Sequence, residues 1–149
     1  MKEPFGPYVV DASAVIPLVA GEPCSERAEE WFTAAAVYTG NSATVDLYDA
    51  ECTNALWKRQ RWAKWSLGDC ELALESALSL PFQRVPFRDV AVDALRLAAK
   101  LGLTGYDAGY VALARASLMP LVTADRRLAE AARRAGCEAL CLAEDAGTP

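Results

Sequence analysis

Short apolar runs alternate with longer stretches of helical spacing along this chain. Tyr8-Val9-Val10 holds no polar position and is too short for a helix, so it predicts a strand buried on both faces. Apolar residues at helical intervals predict a helix over Ser25 to Ala36, and a weak strand follows within Val37 to Thr44. Two helices are expected next, Asp46 to about Trp65 and Leu67 to Leu78. Arg84-Val85 is a possible short strand, and Arg88 to Leu101 a helix stopped by Gly102. Tyr106 to Ser117 is helical, Leu121-Val122-Thr123 a strand, Arg126 to Ala135 a helix and Ala139 to Leu142 a last strand.

Strands alternating with helices predict an α/β fold, a mostly parallel sheet covered on both faces. Right-handed crossovers then bring the carboxyl ends of the strands to one edge, and ligands in such folds bind beyond it. No linker, repeat or low-complexity tract divides the 149 residues, which suit a single domain spanning 1–149 with its core over about 8–142.

Composition removes several chemistries. With no histidine, Ser-His-Asp triads, Cys-His pairs and His-ligated zinc or iron are excluded. Fifteen Lys+Arg against twenty Asp+Glu give a formal charge of −5, so any nucleic-acid contact must come from a local basic patch. The five cysteines form no C-x-x-C pair. Cys137 and Cys141, if on one strand face, would stand about 13 Å apart, too far for a disulfide. Free thiols fit a reducing, cytoplasmic setting. The longest apolar stretch, Ala14 to Ala20, contains Pro17 and is too short to span a membrane.

The residues that follow the strands are acidic. Asp11 succeeds Val10 directly, and Asp125 follows Thr123 after one alanine. Either alone suits a helix N-cap. Two in one parallel sheet point to a site. Asp107 lies in the first turn of its helix, where a carboxylate suits the dipole, but it continues the row Val111, Ala114, Leu118, an apolar stripe. The helix from Asp46 carries Asp46, Asp49 and Glu51; Asp46 points away as a cap, while Asp49 and Glu51 flank its apolar face, and periodicity does not choose between them. Carboxylates gathered this closely repel unless a cation joins them, and oxygen-only donors suit Mg²⁺ or Mn²⁺, ions that also activate water against phosphodiesters.

Four segments sharpen this picture: Val9-Val10-Asp11-Ala12-Ser13, Glu51-Cys52-Thr53-Asn54-Ala55-Leu56, Tyr106-Asp107-Ala108-Gly109-Tyr110-Val111-Ala112-Leu113-Ala114 and Leu121-Val122-Thr123-Ala124-Asp125-Arg126-Arg127-Leu128. In order and spacing they resemble the PIN domain, and within it the VapC-type toxin ribonucleases, over Tyr8 to about Leu142. The resemblance implies a three-layer α/β/α sandwich and a metal-dependent ribonuclease. Its acidic pocket would comprise Asp11, Glu51, Asp107 and Asp125, holding one or two Mg²⁺ or Mn²⁺ ions. It selects Glu51 over Asp49 through the spacing to Asn54, and it makes Ser13, Asn54 and Thr123 supporting residues; capping is the plainer role for Ser13 and Thr123. It also implies a homodimer and a separately encoded antitoxin. Two features depart from the pattern: Val45-Asp46 stands where proline often precedes the Glu-bearing helix, which predicts a changed helix entry, and Arg126-Arg127 leave no fifth acid after Asp125.

Lys58, Arg59, Arg61 and Lys64 follow Glu51 on the same helix, interleaved with Trp57, Trp62 and Trp65. Lys58, Arg61 and Lys64 could guide RNA, and tryptophan could stack on bases. The competing expectation is a solvated charged face with tryptophans packed under the next helix, Trp57 pointing outward. Arg126, Arg127, Arg133 and Arg134 flank the last helix, where they could balance its dipole and nearby acids. A non-catalytic PIN-like module binding RNA or protein is the alternative function. A phosphoacceptor receiver is disfavoured by the single acid after the first strand and the lack of lysine beyond Lys100.

Overall fold

The computed structural model describes residues 7–24, 26–34 and 39–144. Five strands, β1 (Val9–Val10), β2 (Ala43–Val45), β3 (Gln83–Val85), β4 (Leu121–Thr123) and β5 (Ala139–Cys141), form one sheet in the order β3-β2-β1-β4-β5, with every pairing parallel. The helices are α1 (Ala12–Val19), α2 (Glu26–Thr33), α3 (Leu47–Trp62), α4 (Leu67–Ser79), α5 (Ala91–Leu101), α6 (Gly105–Ser117) and α7 (Arg126–Arg134). The chain lays down β1, β2 and β3 to one side, then returns so that β4 pairs on the other flank of β1. The strand order therefore reverses between β1 and β4, and the crevice beyond their carboxyl ends is the position where parallel sheets take ligands.

Alternation along the two central strands separates the layers. Val10 and Val122 belong to the core shared with α1, α2, α3 and α4, whereas Val9 and Leu121 belong to the core under α5, α6 and α7. These pairs are also in register, Val9 with Leu121 and Val10 with Val122. The result is the three-layer α/β/α arrangement.

Buried polar groups are satisfied where they touch the sheet. Ser42 Oγ accepts from the Tyr8 amide at 3.1 Å, and Thr44 Oγ1 donates to the Val10 carbonyl at 2.7 Å. Together they tie β1 to β2 just before Asp11.

Several expected elements shift. Helix α1 was not marked by the pattern; Pro17 lies inside it, and its apolar run is buried through Ile16. The helix expected to begin at Arg88 starts instead as a 3₁₀ turn, Phe87–Asp89, before α5. Helix α3 stops at Trp62, and Lys64 takes a left-handed φ of 58° beyond it. Cys137 lies outside β5, so it does not share a strand face with Cys141. All five cysteines are free. Ser25 and residues 35–38, part of the expected helix and weak strand, lie outside the described residues. No helix among the described residues is long and apolar enough to cross a membrane.

Gly109 marks the closest approach on the α6 side. A Cβ there would press into the ring of Phe87, whose amide donates to Asp46 Oδ1 at 3.0 Å. Gly109→Ala is expected to cost about 1–3 kcal/mol in urea unfolding. In a Phe87→Ala background, which removes the clash, the same substitution should cost less than about 0.5 kcal/mol.

Candidate active site

Asp11 leaves β1 in an extended conformation at the N-cap position of α1, yet its side chain caps nothing. It is only 4% exposed. Its Oδ2 accepts instead from Ser13 Oγ at 2.5 Å and from Thr123 Oγ1 at 2.7 Å. Each hydroxyl has one proton to donate, and each also accepts a backbone amide: Ala124 N–H on Ser13 and Asp125 N–H on Thr123, both at 3.0 Å. The two amides orient the hydroxyls, and the hydroxyls serve Oδ2. Neither Ser13 nor Thr123 acts as a helix cap.

Asp125 keeps the role its position suggests. Its Oδ1 accepts from the amides of Arg127 at 2.8 Å and Leu128 at 3.2 Å, capping α7, and both bonds fall on that one oxygen. Asp107 enters from the opposite helical layer, in the first turn of α6, which Thr104 caps by accepting the Asp107 amide at 3.1 Å. Val111 and Ala114 continue its row into the core, but Leu118 does not. It takes a left-handed φ of 56° at the helix end and is 92% exposed.

The three acids of α3's first turns separate cleanly. Asp49 pairs with Arg84, Nη2 to Oδ1 at 2.9 Å. Asp46 caps nothing through its side chain and holds Phe87. Glu51 turns to the crevice, where the Tyr110 hydroxyl donates to its Oε1 at 3.2 Å. Tyr110 is a site residue that the spacing did not single out. Its ring is fully buried, and its place one turn after Asp107 on α6 was the available signal.

Asp11, Ser13, Glu51, Asn54, Lys58, Asp107 and Asp125 line a single pocket of about 420 Å³, with Thr123 beneath it. Arg59 lines it too. Arg61 does not, and Lys64 lines a separate cleft with Trp65 and Asp69. Trp65 packs against the core, while Trp57 and Trp62 stay half or more exposed and meet edge to face at 5.2 Å. Arg133 pairs with Glu144, and Arg126 donates to the Ala143 carbonyl at 2.7 Å, so these two fasten the chain after β5.

The electrostatics follow from this crowding. Burial and then the Asp11 charge push the Glu51 carboxyl up to about 7, against the pull of the Tyr110 hydroxyl. Burial also raises Asp11, against the two hydroxyls and aided by Asp107. Asp107 is raised by burial and by Asp125, with Arg127 pulling the other way. A hard cation would remove this strain, and four carboxylates with no thiol in the pocket are the donor set that Mg²⁺ or Mn²⁺ takes. Among the described residues no three acids or thiols already stand around one point as ligands. Closing on an ion would therefore require these carboxylates to draw closer together.

An acid raised in the folded state binds protons there that the unfolded chain has released. Stability of the metal-free protein should therefore fall as pH rises from about 4.5 to about 7, the window between the ordinary and shifted values of Glu51, and level off above it. Thermal unfolding in chelator across this range should show the decline. Glu51→Gln should flatten it, and Tyr110→Phe should extend it upward.

The model of the PIN domain family matches residues 8–134. Over 125 residues the chain is 38% identical to the ribonuclease VapC3 of Pyrobaculum aerophilum, spanning 82% of this chain and 92% of that protein. It is 33% identical over 123 residues to the exonuclease VapC9 of the same organism, spanning 81% and 82% respectively. The crystal structure of PAE2754 from Pyrobaculum aerophilum superimposes with a TM-score of 0.65 at 31% identity, covering 89% of this chain and 90% of that one. By sequence and by architecture alike, the chain belongs to the PIN-domain family.

Proposed function

We propose that the chain is a divalent-metal-dependent endoribonuclease, the toxin half of a toxin–antitoxin pair, working as a homodimer in the cytoplasm. The observation that carries this reading is the meeting of Asp11, Glu51, Asp107 and Asp125, from the sheet edge and both helical layers, in one pocket at the strand-order reversal. The VapC relatives, one of them named a ribonuclease, support it.

Asp11, Asp107 and Asp125 would hold one or two Mg²⁺ or Mn²⁺ ions, with Glu51 bound directly or through water. Bound there, the ion supplies positive charge against the phosphorus oxygens and acidifies a water for in-line attack. The chain's own residues prepare the place. Ser13 and Thr123 fix Asp11 through Oδ2, and the α7 amides fix Asp125. The Tyr110 hydroxyl orients Glu51 and favours its ionised form. Lys58 stands at the rim, where a cation offsets the repulsion between the acids and an entering phosphate chain. No side-chain nucleophile is required.

Circular and linear RNA, each incubated with Mg²⁺ or Mn²⁺ and with chelator, test the reading. Cleavage of the circle that chelator stops is the expected result. Shortening of linear RNA alone would mean exonuclease action, and binding without cleavage in any metal would favour the non-catalytic module. Asp107→Asn should cut cleavage roughly 100-fold or more while unfolding at no lower a temperature, since that side chain's charge is disfavoured where it lies.

A further inference from the structure

Arg59 is a second cation of the acidic pocket, and it is already occupied. Its Nε donates to Glu22 Oε1, its Nη2 donates to Glu22 Oε2 at 3.0 Å, and its Nη1 donates to the Ala55 carbonyl at 3.1 Å. The Ala55 bond holds the guanidinium plane against its own helix, so the Nε–Nη2 edge presents a fixed fork to whatever anion stands before it. That edge matches two oxygens of a carboxylate or of a phosphate equally well.

Glu22 reaches this fork from the connection between α1 and α2. There Gly21 turns the chain with φ 67°, and the Glu22 amide donates to the Pro17 carbonyl at 2.9 Å. Pro17, Ala55 and Arg59 all line the carboxylate pocket. The pair is neither deeply buried nor free in solvent, with side chains 22% and 31% exposed, so one anion can replace another without opening the core. Lys58, its neighbour on the pocket wall, has no ion-pair partner among the described residues. Arg59 follows Glu51 by eight residues, about 12 Å along α3 at 1.5 Å per residue. A phosphate taken there would lie further along the same strand than the one beside the carboxylates.

We infer that Arg59 is the pocket's binding fork for a flanking RNA phosphate, and that Glu22 holds the fork as an internal stand-in which RNA must displace. This rests on the ribonuclease reading above and deepens it. The exchange sets a threshold: an RNA segment engages only if its phosphate outcompetes a tethered carboxylate, which lowers affinity for nucleic acid in general.

The test is fluorescence anisotropy with a labelled single-stranded RNA of about 12 nucleotides in an Asp107→Asn background, so that binding is read without cleavage. Glu22→Gln should tighten binding by about 2- to 5-fold and steepen the slope of log affinity against log salt by about 0.7. Arg59→Gln should weaken binding, and Glu22→Gln should add nothing to it, because the effect of Glu22 runs through Arg59. Arg59→Lys keeps the charge without the fork and should fall between, which separates fork from charge; thermal unfolding of each variant confirms that it folds. If Glu22→Gln leaves affinity unchanged, or tightens it equally without Arg59, the inference is overturned and the ribonuclease reading stands. If no variant binds RNA with Mg²⁺ present, the inference falls, and the ribonuclease reading is decided separately by the cleavage of circular and linear RNA.

Discussion

A carboxylate removed from water loses several kcal/mol of solvation, and hydrogen bonds to a charged acceptor return about 1.5–3 kcal/mol each. Asp11 receives two, from Ser13 and Thr123, so gain and loss are of similar size. The balance tips against the charge: burial is the largest influence on Asp11, and its carboxyl is raised despite both donors. The rest of the pocket depends on this arrangement. The same hydroxyls that hold Asp11 accept the amides of Ala124 and Asp125, so the ends of β1 and β4 are joined through one carboxylate.

Strand register makes that junction possible. Val10 pairs with Val122, and the Asp11 amide donates to the Val122 carbonyl at 3.1 Å, which sets Thr123 beside Asp11. A slip of one residue would turn Thr123 away and exchange the two faces of β4, mixing the separate cores under α4 and α6. Packing and site are thus specified by the same pairing. The remaining acids arrive by different means: Glu51 through α3 on one face of the sheet, Asp107 through α6 on the other. Each layer contributes a charge that the others repel. The energy of packing two helical layers on one sheet keeps the acids together, and a site that would bind a cation is the arrangement that makes use of this cost.

The parts legible in the sequence were those set by short-range pattern. Val9-Val10 and Leu121-Val122-Thr123 announced central strands through unbroken apolar character, and the acids after them followed from the rule that parallel sheets bind at their carboxyl edge. Helix α1 was hidden because Pro17 interrupts its signal, though a proline near the end of a short helix forfeits only one backbone bond. The separation of Asp49 from Glu51 could not be read from periodicity. It is decided by Arg84, which lies 35 residues away in sequence and draws Asp49 off. Tyr110 escaped for the same reason: its ring reads as core, and only the tertiary meeting of α3 and α6 gives its hydroxyl a carboxylate. The basic run after Glu51 was seen as a unit, but helix geometry divides it. Lys58 and Arg59 face the pocket, Arg61 does not, and Lys64 lies past the helix end in a different cleft.

That division bears on how an acidic protein meets a polyanion. With a net charge of −5, the chain repels RNA at long range, and screening at physiological salt confines each charge to about 8 Å. Attraction can begin only where cations outnumber acids within that distance. The pocket itself lines four acids against Lys58 and Arg59, and Glu22 neutralises the arginine. Long-range steering therefore contributes nothing favourable here, and on the ribonuclease reading selection among RNAs would come from close contacts: the fit of one phosphate to the Arg59 fork, and the placement of another against the carboxylates. An ion held by those carboxylates does more than assist a reaction on this reading. It would cancel much of the pocket's negative charge, so metal binding and RNA binding would be coupled through charge before any bond is broken.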